Sequence, residues 1–319
     1  MRTKLLLVLA CCGAFLAAAM ALPAGATPPG VNGKIAFTTD NNGDGGGPSD
    51  LFTVNPNGTG ETQLTHGEFG RASQPNWSPD GRRIVFSGDV SGIPQLYVVN
   101  SDGSGGTPGQ PLFDDPENAD NNAHYSPDGS KIAFQSCGAL GCTIDVIASN
   151  GSGTASVLTS PIWFSADPEW SPDGSKIAFT TNEDGLLSAV WVMNADGSNH
   201  QRLTPAAREA FYPDWSPDGR HILFLDNCCV FGTNLWVMNA DGSGQKQLTH
   251  VPSKHQDGFA HYSPDGTKIV FVTDVNYKPG ACVDDDCSDL YTMDTNGTHM
   301  TKIVSDQPGV VFSDWGRQP

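Results

Sequence analysis

One five-residue turn, written five times, limits what this chain can fold into. WSPDG stands at residues 77–81, 170–174 and 215–219, and YSPDG at 125–129 and 262–266. Its Asp falls at positions 80, 128, 173, 218 and 265, so the unit repeats every 45 to 48 residues. Each copy leads into a β-type run ending in Phe: RRIVF to Phe86, SKIAF to Phe134, SKIAF to Phe179, RHILF to Phe224 and TKIVF to Phe271. A variable loop follows, then a second run such as QLYVV at 95–99, AVWVM at 189–193, NLWVM at 234–238 or DLYTM at 289–293. Asp-Gly or Asn-Gly then marks a turn at residues 102–103, 150–151, 196–197, 241–242 and 296–297. A last short run often closes on Leu-Thr, as at 158–159, 203–204 and 248–249.

Turn chemistry explains the spelling. Pro presets φ at the first corner of SPDG, Asp bonds back to the backbone, and Gly accepts positive φ. Asp-Gly and Asn-Gly are the strongest short-range hairpin signals. Four strands in about 45 residues is the content of a propeller blade. A chain with 37 Gly, 23 Pro and only 16% charged residues suits many short strands. WSPDG therefore reads as architecture, the corner between the innermost strand and the second.

The ends supply the closure. Residues 33–65 carry a second, third and fourth strand with no first, and VVFSDWG at 310–316 carries a first strand with nothing after it. Pairing the two closes a ring and removes the free edges. The expectation is an all-β, six-bladed propeller of four-stranded blades over residues 27–319. The repeats resemble the TolB-like, WD40-like (PD40) propeller family, whose hallmark is WSPDG followed by a run of the IAF type. The likeness covers nearly all of residues 31–319 and implies the fold and a place in the cell envelope. It assigns no activity, because one propeller architecture hosts many functions.

Residues 1–26 form a separate object. Arg2 and Lys4 precede an apolar run from Leu5 to Met20, and Ala24-Gly25-Ala26 has the form of a signal-peptidase site. A signal peptide is expected there, with export to the periplasm, the cell envelope or the medium. No second apolar run reaches membrane-spanning length. Without residues 1–26 the chain has 15 Lys and Arg against 35 Asp and Glu, a net charge of −20. Such a surface repels nucleic acid and anionic lipid.

Chemistry is expected in two places. The first is the channel, lined by the innermost strands. The residues just before each Trp or Tyr are Asn76, His124, Glu169, Asp214, His261 and, in the closing strand, Asp314. All six are polar. His124 and His261 belong to the third and sixth blades, which face each other across a six-fold ring. Imidazoles with carboxylates nearby suit a divalent transition metal, and oligogalacturonate lyases, to which these repeats are similar in architecture, hold a metal through His at such a position. The simpler reading of the same residues, and the leading one, is a polar wall around water.

The second place is the set of loops between second and third strands. They carry Cys137 and Cys142, Cys228 and Cys229, and Cys282 and Cys287. In an exported chain these read as disulfides, paired within each loop and stiffening it. Strand alternation puts the loops on one face, opposite the SPDG and Asp-Gly turns. Asp40, Asn42 and Asp44 with Gly45 match the opening of a Ca²⁺ loop, although Leu51 occupies the twelfth position, where Glu is expected. No G-x-S-x-G, P-loop, dinucleotide fingerprint or HExxH occurs.

The leading expectation is a non-enzymatic scaffold, monomeric, presenting the loop-rich face to a protein or glycan. The alternative is a metal-assisted lyase or hydrolase at the channel, with His124 and His261 as ligands and Glu169, Asp214 or Asp314 as ligand or base.

Overall fold

The computed structural model describes residues 30–40, 48–113, 115–227, 232–251, 257–274, 288–304 and 309–319. Strands alone make up its regular elements. They form six sheets. The strand Val310–Arg317 pairs antiparallel with Asn32–Asp40, placing Asp314 opposite Ala36 and Trp315 opposite Ile35. The last strand is thus the innermost strand of the first blade, and the ring closes as the repeat pattern predicts. No helix among the described residues is long and apolar enough to cross a membrane.

Five sheets have four strands, the outermost usually two residues long. In the second blade the ladder stops at three: Ser73–Trp77, Arg83–Gly88 and Gln95–Asn100. The fourth place is taken by an irregular run through SGGTPGQPL. Gly105, Gly106 and Gly109 hold positive φ there, and two prolines lack the N–H a ladder needs. One bond survives, from Leu112 N–H to Leu96 O at 2.6 Å. It is the counterpart of Leu64 to Leu51, Leu158 to Ile144, Leu203 to Val190 and Leu248 to Leu235.

The Leu-Thr signature has a job at that junction. The hydroxyls of Thr65, Thr159, Thr204 and Thr249 each accept the backbone N–H at or near the head of the third strand, from Leu51, Ile144, Val190 and Leu235, at 2.8–3.1 Å. A hydroxyl thus completes the ladder where the short fourth strand ends.

All five SPDG turns share one geometry. The Gly N–H donates to the Ser carbonyl at 2.8 Å, the Ser hydroxyl to the Asp carboxylate at 2.6–2.7 Å, and the second strand's first N–H to the Ser hydroxyl at 2.9 Å. The five glycines sit at φ of 67–71°, which disfavours any Cβ.

The aromatic before each turn does more than the turn requires. Six apolar clusters lie between neighbouring blades, and Trp77, Tyr125, Trp170, Trp215, Tyr262 and Trp315 each join one of them. The Phe of each second strand (Phe37, Phe86, Phe134, Phe179, Phe224 and Phe271) is fully buried. Strand alternation splits each run between two interfaces: Ile84 and Phe86 face the first blade, while Val85 packs with Tyr125 and Phe134 of the third. The core is therefore a ring of six interfaces. No blade owns one.

Candidate functional site

The channel wall is built by the innermost strands, each of which carries a bulge. Pairing slips between Ser73 and Asn76, Asn121 and His124, Ala166 and Glu169, Phe211 and Asp214, and Gly258 and His261. The extra residue takes positive φ in all five, at Gln74, Asn122, Asp167, Tyr212 and Phe259 (42–54°). A bulge bends the strand and re-aims its side chains. Two rings result, one at the predicted positions and one two residues earlier.

Within the predicted ring, three short side chains tie blade to blade. Asp314 Oδ2 accepts the Trp77 N–H at 2.7 Å, Asn76 Oδ1 the Tyr125 N–H at 3.0 Å, and Asp214 Oδ2 the Tyr262 N–H at 2.8 Å. Each bond crosses an interface, so these residues help to hold the ring as well as line it.

His124 and His261 do face each other, with ring centroids 6.0 Å apart and planes at 28°. Their surroundings set opposite protonation states. The amide of Asn76 is oriented by its bond to Tyr125, so its Nδ2 donates to His124 Nδ1 at 3.2 Å and to Asp314 Oδ2 at 3.1 Å. An Nδ1 that accepts carries no proton. Glu169 Oε2 also touches that nitrogen, and burial raises the Glu169 carboxyl well above its usual range. Burial and the opposing His261 lower the His124 pKa to about 4, so this imidazole is neutral at neutral pH.

His261 meets acceptors instead. Its Nδ1 lies 3.2 Å from Asp214 Oδ1 and 3.9 Å from Asp314 Oδ1. Burial opposes its charge, but the bond to Asp214 and the nearby carboxylates outweigh that and raise it to about 9. At neutral pH one imidazole is charged and the other is not.

These contacts engage most of the ring with itself. Among the described residues, no three His, Cys, Asp or Glu side chains are arranged to hold a metal ion. The side chains nearest to such a role are His124 with Glu169 and His261 with Asp214 and Asp314.

The second ring escaped the sequence reading. Gln74, Asn122 and Asp167 stand on three successive blades, and Tyr212, Phe259 and Phe312 on the next three. Together they line a small cavity of about 30 Å³ above the histidines, with room for a group little larger than an ammonium head. Aligned repeats would have found these positions, since residues two apart on a strand share a face; the bulges that aim them leave no signature. Asp167 accepts from Asn122 Nδ2 at 2.8 Å and from Thr180 Oγ1 at 2.8 Å. Burial pushes its carboxyl up to about 6. Tyr212 and Phe259 meet at 4.5 Å between centroids, and Phe259 and Phe312 at 4.2 Å.

On the loop-rich face Cys137 and Cys142 are disulfide-bonded. They are directly opposite partners in the hairpin of strands Lys131–Gly138 and Gly141–Ala148. The bridge therefore crosses two paired strands and pins a two-residue tip. Cys228, Cys229, Cys282 and Cys287 lie outside the described residues, as do Asn42 and Asp44 of the expected Ca²⁺ loop; Asp40 ends its strand.

Comparison with known proteins bears on the repeats. The TolB beta propeller domain model, PD40, matches residues 122–229. The chain carries TolB-type propeller repeats. The Tol-Pal system protein TolB of Anaeromyxobacter dehalogenans (strain 2CP-C) is 32% identical over 133 residues, which is 40% of this chain and 27% of that protein. The chain thus matches little more than a quarter of the length of the curated relatives. The crystal structure of TolB from Acinetobacter baumannii superposes with a TM-score of 0.72 at 16% identity, over 89% of this chain and 66% of that one. A TolB candidate from Agrobacterium tumefaciens superposes at 0.65 with 22% identity, over 90% and 99%. At these identities the TolB structures speak for the fold alone.

Proposed function

We propose that this protein is an exported, non-enzymatic TolB-like scaffold that presents its loop-rich face to a protein partner. One observation carries the reading. Of eleven exposed large apolar side chains among the described residues, eight lie in loops of that face: Val90, Ile93, Leu140, Ile162, Trp163, Phe164, Leu186 and Leu187. Leu140 is 83% and Ile162 79% exposed. The loops adjoin: a Cβ on Gly141 would meet the Pro161 carbonyl, and Phe164 and Asn182 exchange hydrogen bonds. An exposed apolar patch spanning neighbouring loops is the usual mark of a partner surface. Preformed loops lower the ordering cost of binding, which gives the Cys137–Cys142 bridge a purpose.

Export is supported by the signal-type segment 1–26 and by that disulfide, a bond that persists in oxidising compartments. The Tol-Pal name of a relative fits an envelope location. The lyase or hydrolase alternative keeps one supporting feature, the convergence of His124 and His261. The engagement of Asn76, Asp214 and Asp314 in bonds within the ring weighs against it.

The test is the variant Leu140→Ser/Trp163→Ser/Leu186→Ser, compared with wild type in binding to a partner recovered from envelope extracts by cross-linking. Loss of three anchors predicts an affinity at least about 100-fold weaker with an unchanged melting temperature. Equal affinity for the two would overturn the reading. Stoichiometric transition metal in the wild type, lost in His124→Ala/His261→Ala, would favour the alternative.

A further inference from the structure

The cavity at the loop-face end of the channel is divided by chemistry. Three aromatic rings from successive blades, Tyr212, Phe259 and Phe312, make one wall, and Gln74, Asn122 and Asp167 make the other. The same backbone position supplies every member, so the division comes from sequence and not from fold. We propose that this cavity binds an alkylammonium group, borne by a free amine or by a lysine of a partner protein. The inference rests on the loop-rich face being a binding surface and adds the chemistry its central cavity selects.

Three observations converge on a cation. Aromatic faces carry a negative quadrupole that attracts ammonium groups. The rings meet at 57–58° to one another and so curve around a small group instead of offering a flat shelf to a sugar. Facing them, Asp167 accepts from Asn122, Thr180 and the Tyr212 N–H and donates to none of them, the pattern of an ionised carboxylate. Even raised to about 6, it is mostly charged at neutral pH.

The rest of the lining agrees. Among the described residues, no Lys or Arg lines the cavity. Its one cationic group, the His261 imidazolium, is bonded to Asp214 and lies 3.9 Å from Asp314, so two carboxylates answer one positive charge. Among the described residues, an anionic ligand would meet Asp167 and the aromatic rings and find no Lys or Arg to pair it. A neutral sugar would find hydrogen bonds but leave the buried charge of Asp167 unanswered.

Titration of the full chain, followed by calorimetry and by aromatic NMR shifts, tests this with n-butylammonium, Nα-acetyl-lysine methylamide, its Nε-acetylated form and methyl glucoside. Both ammonium probes are expected to saturate the cavity, with shifts at Tyr212 and Phe259. Neutralising the lysine by Nε-acetylation is expected to weaken binding at least about ten-fold, and Asp167→Asn by a similar factor. Phe259→Leu should weaken it roughly three- to ten-fold. Similar affinity for the two lysine probes marks a neutral pocket and overturns the proposal, as does methyl glucoside binding more tightly than either amine. If Asp167→Asn does not fold, Phe259→Leu/Phe312→Leu stands in, and unchanged affinity there is equally contrary. Butylammonium matching the lysine probe points to a free amine; a lysine probe bound at least about ten-fold tighter points to a protein. The Leu140→Ser/Trp163→Ser/Leu186→Ser variant should bind both amines as wild type does. Partner loss in that variant with no amine binding in wild type would leave the surface reading intact and sink this one.

Discussion

A chain ending at Gly309 is expected to lose cooperative folding. It lacks Val310–Arg317, the innermost strand of the first blade. That strand brings Val310 and Trp315 into the cluster with Ile35, Phe37, Val270, Val272 and Leu290, which is the interface between the first and sixth blades. Its removal opens a cavity the size of a Trp and a Val, and strips the inner partner from Asn32–Asp40. Large-to-small changes at single core positions cost about 3–5 kcal/mol, and losing two such side chains with a whole ladder exceeds the usual stability margin of about 5–15 kcal/mol. The exposed edge also invites aggregation. Thermal melts should show no sharp transition, and adding the 310–319 peptide in trans should restore one. A truncated monomer melting within a few degrees of wild type would mean that closure does not hold this ring.

Asp214→Asn should turn one histidine into a copy of the other. An Asn there can still accept the Tyr262 N–H through its carbonyl, as Asn76 does for Tyr125. Its amide nitrogen would then face His261 Nδ1, as Asn76 Nδ2 faces His124 Nδ1. His261 loses its strongest acceptor, and its pKa should fall from about 9 by two units or more. The sign of the stability change follows. A raised folded-state pKa stabilises fully below the unfolded value near 6.5, and that contribution fades as pH rises through about 9. Wild type should therefore lose about 2 kcal/mol between pH 7 and pH 9 from this group, and the variant should not. His124 acts in the other direction: held near 4, it costs stability as pH falls below about 6.5. Imidazole nitrogen spectra at pH 7 should show one charged and one neutral ring in wild type and two neutral rings in Asp214→Asn. Two charged rings in wild type would contradict the account.

The repeat alone made the architecture legible. The spacing of WSPDG gave the blade length, and the orphan strand at 310–316 gave the closure, because turn chemistry and edge pairing are local rules. Facing histidines were legible too, since opposite blades of a six-fold ring must oppose. What stayed hidden depends on geometry that no residue type encodes. The bulges at Gln74, Asn122, Asp167, Tyr212 and Phe259 hold five different residues in one strained conformation, so composition carries no trace of the second ring. The different protonation states of His124 and His261 arise from whether Asn76 or Asp214 stands beside them, a contact between blades and not between sequence neighbours. The Trp of WSPDG, explained by its turn, also serves as the wedge between blades.

The most direct measurement of the central claim is a hydrogen-exchange footprint of the captured partner on the full chain. The account predicts protection at residues 89–94, 138–142, 160–164 and 182–188, all on the loop-rich face, with the SPDG turns exchanging as in the free protein. Protection confined to the SPDG and Asp-Gly turns would place the partner on the opposite face and contradict it.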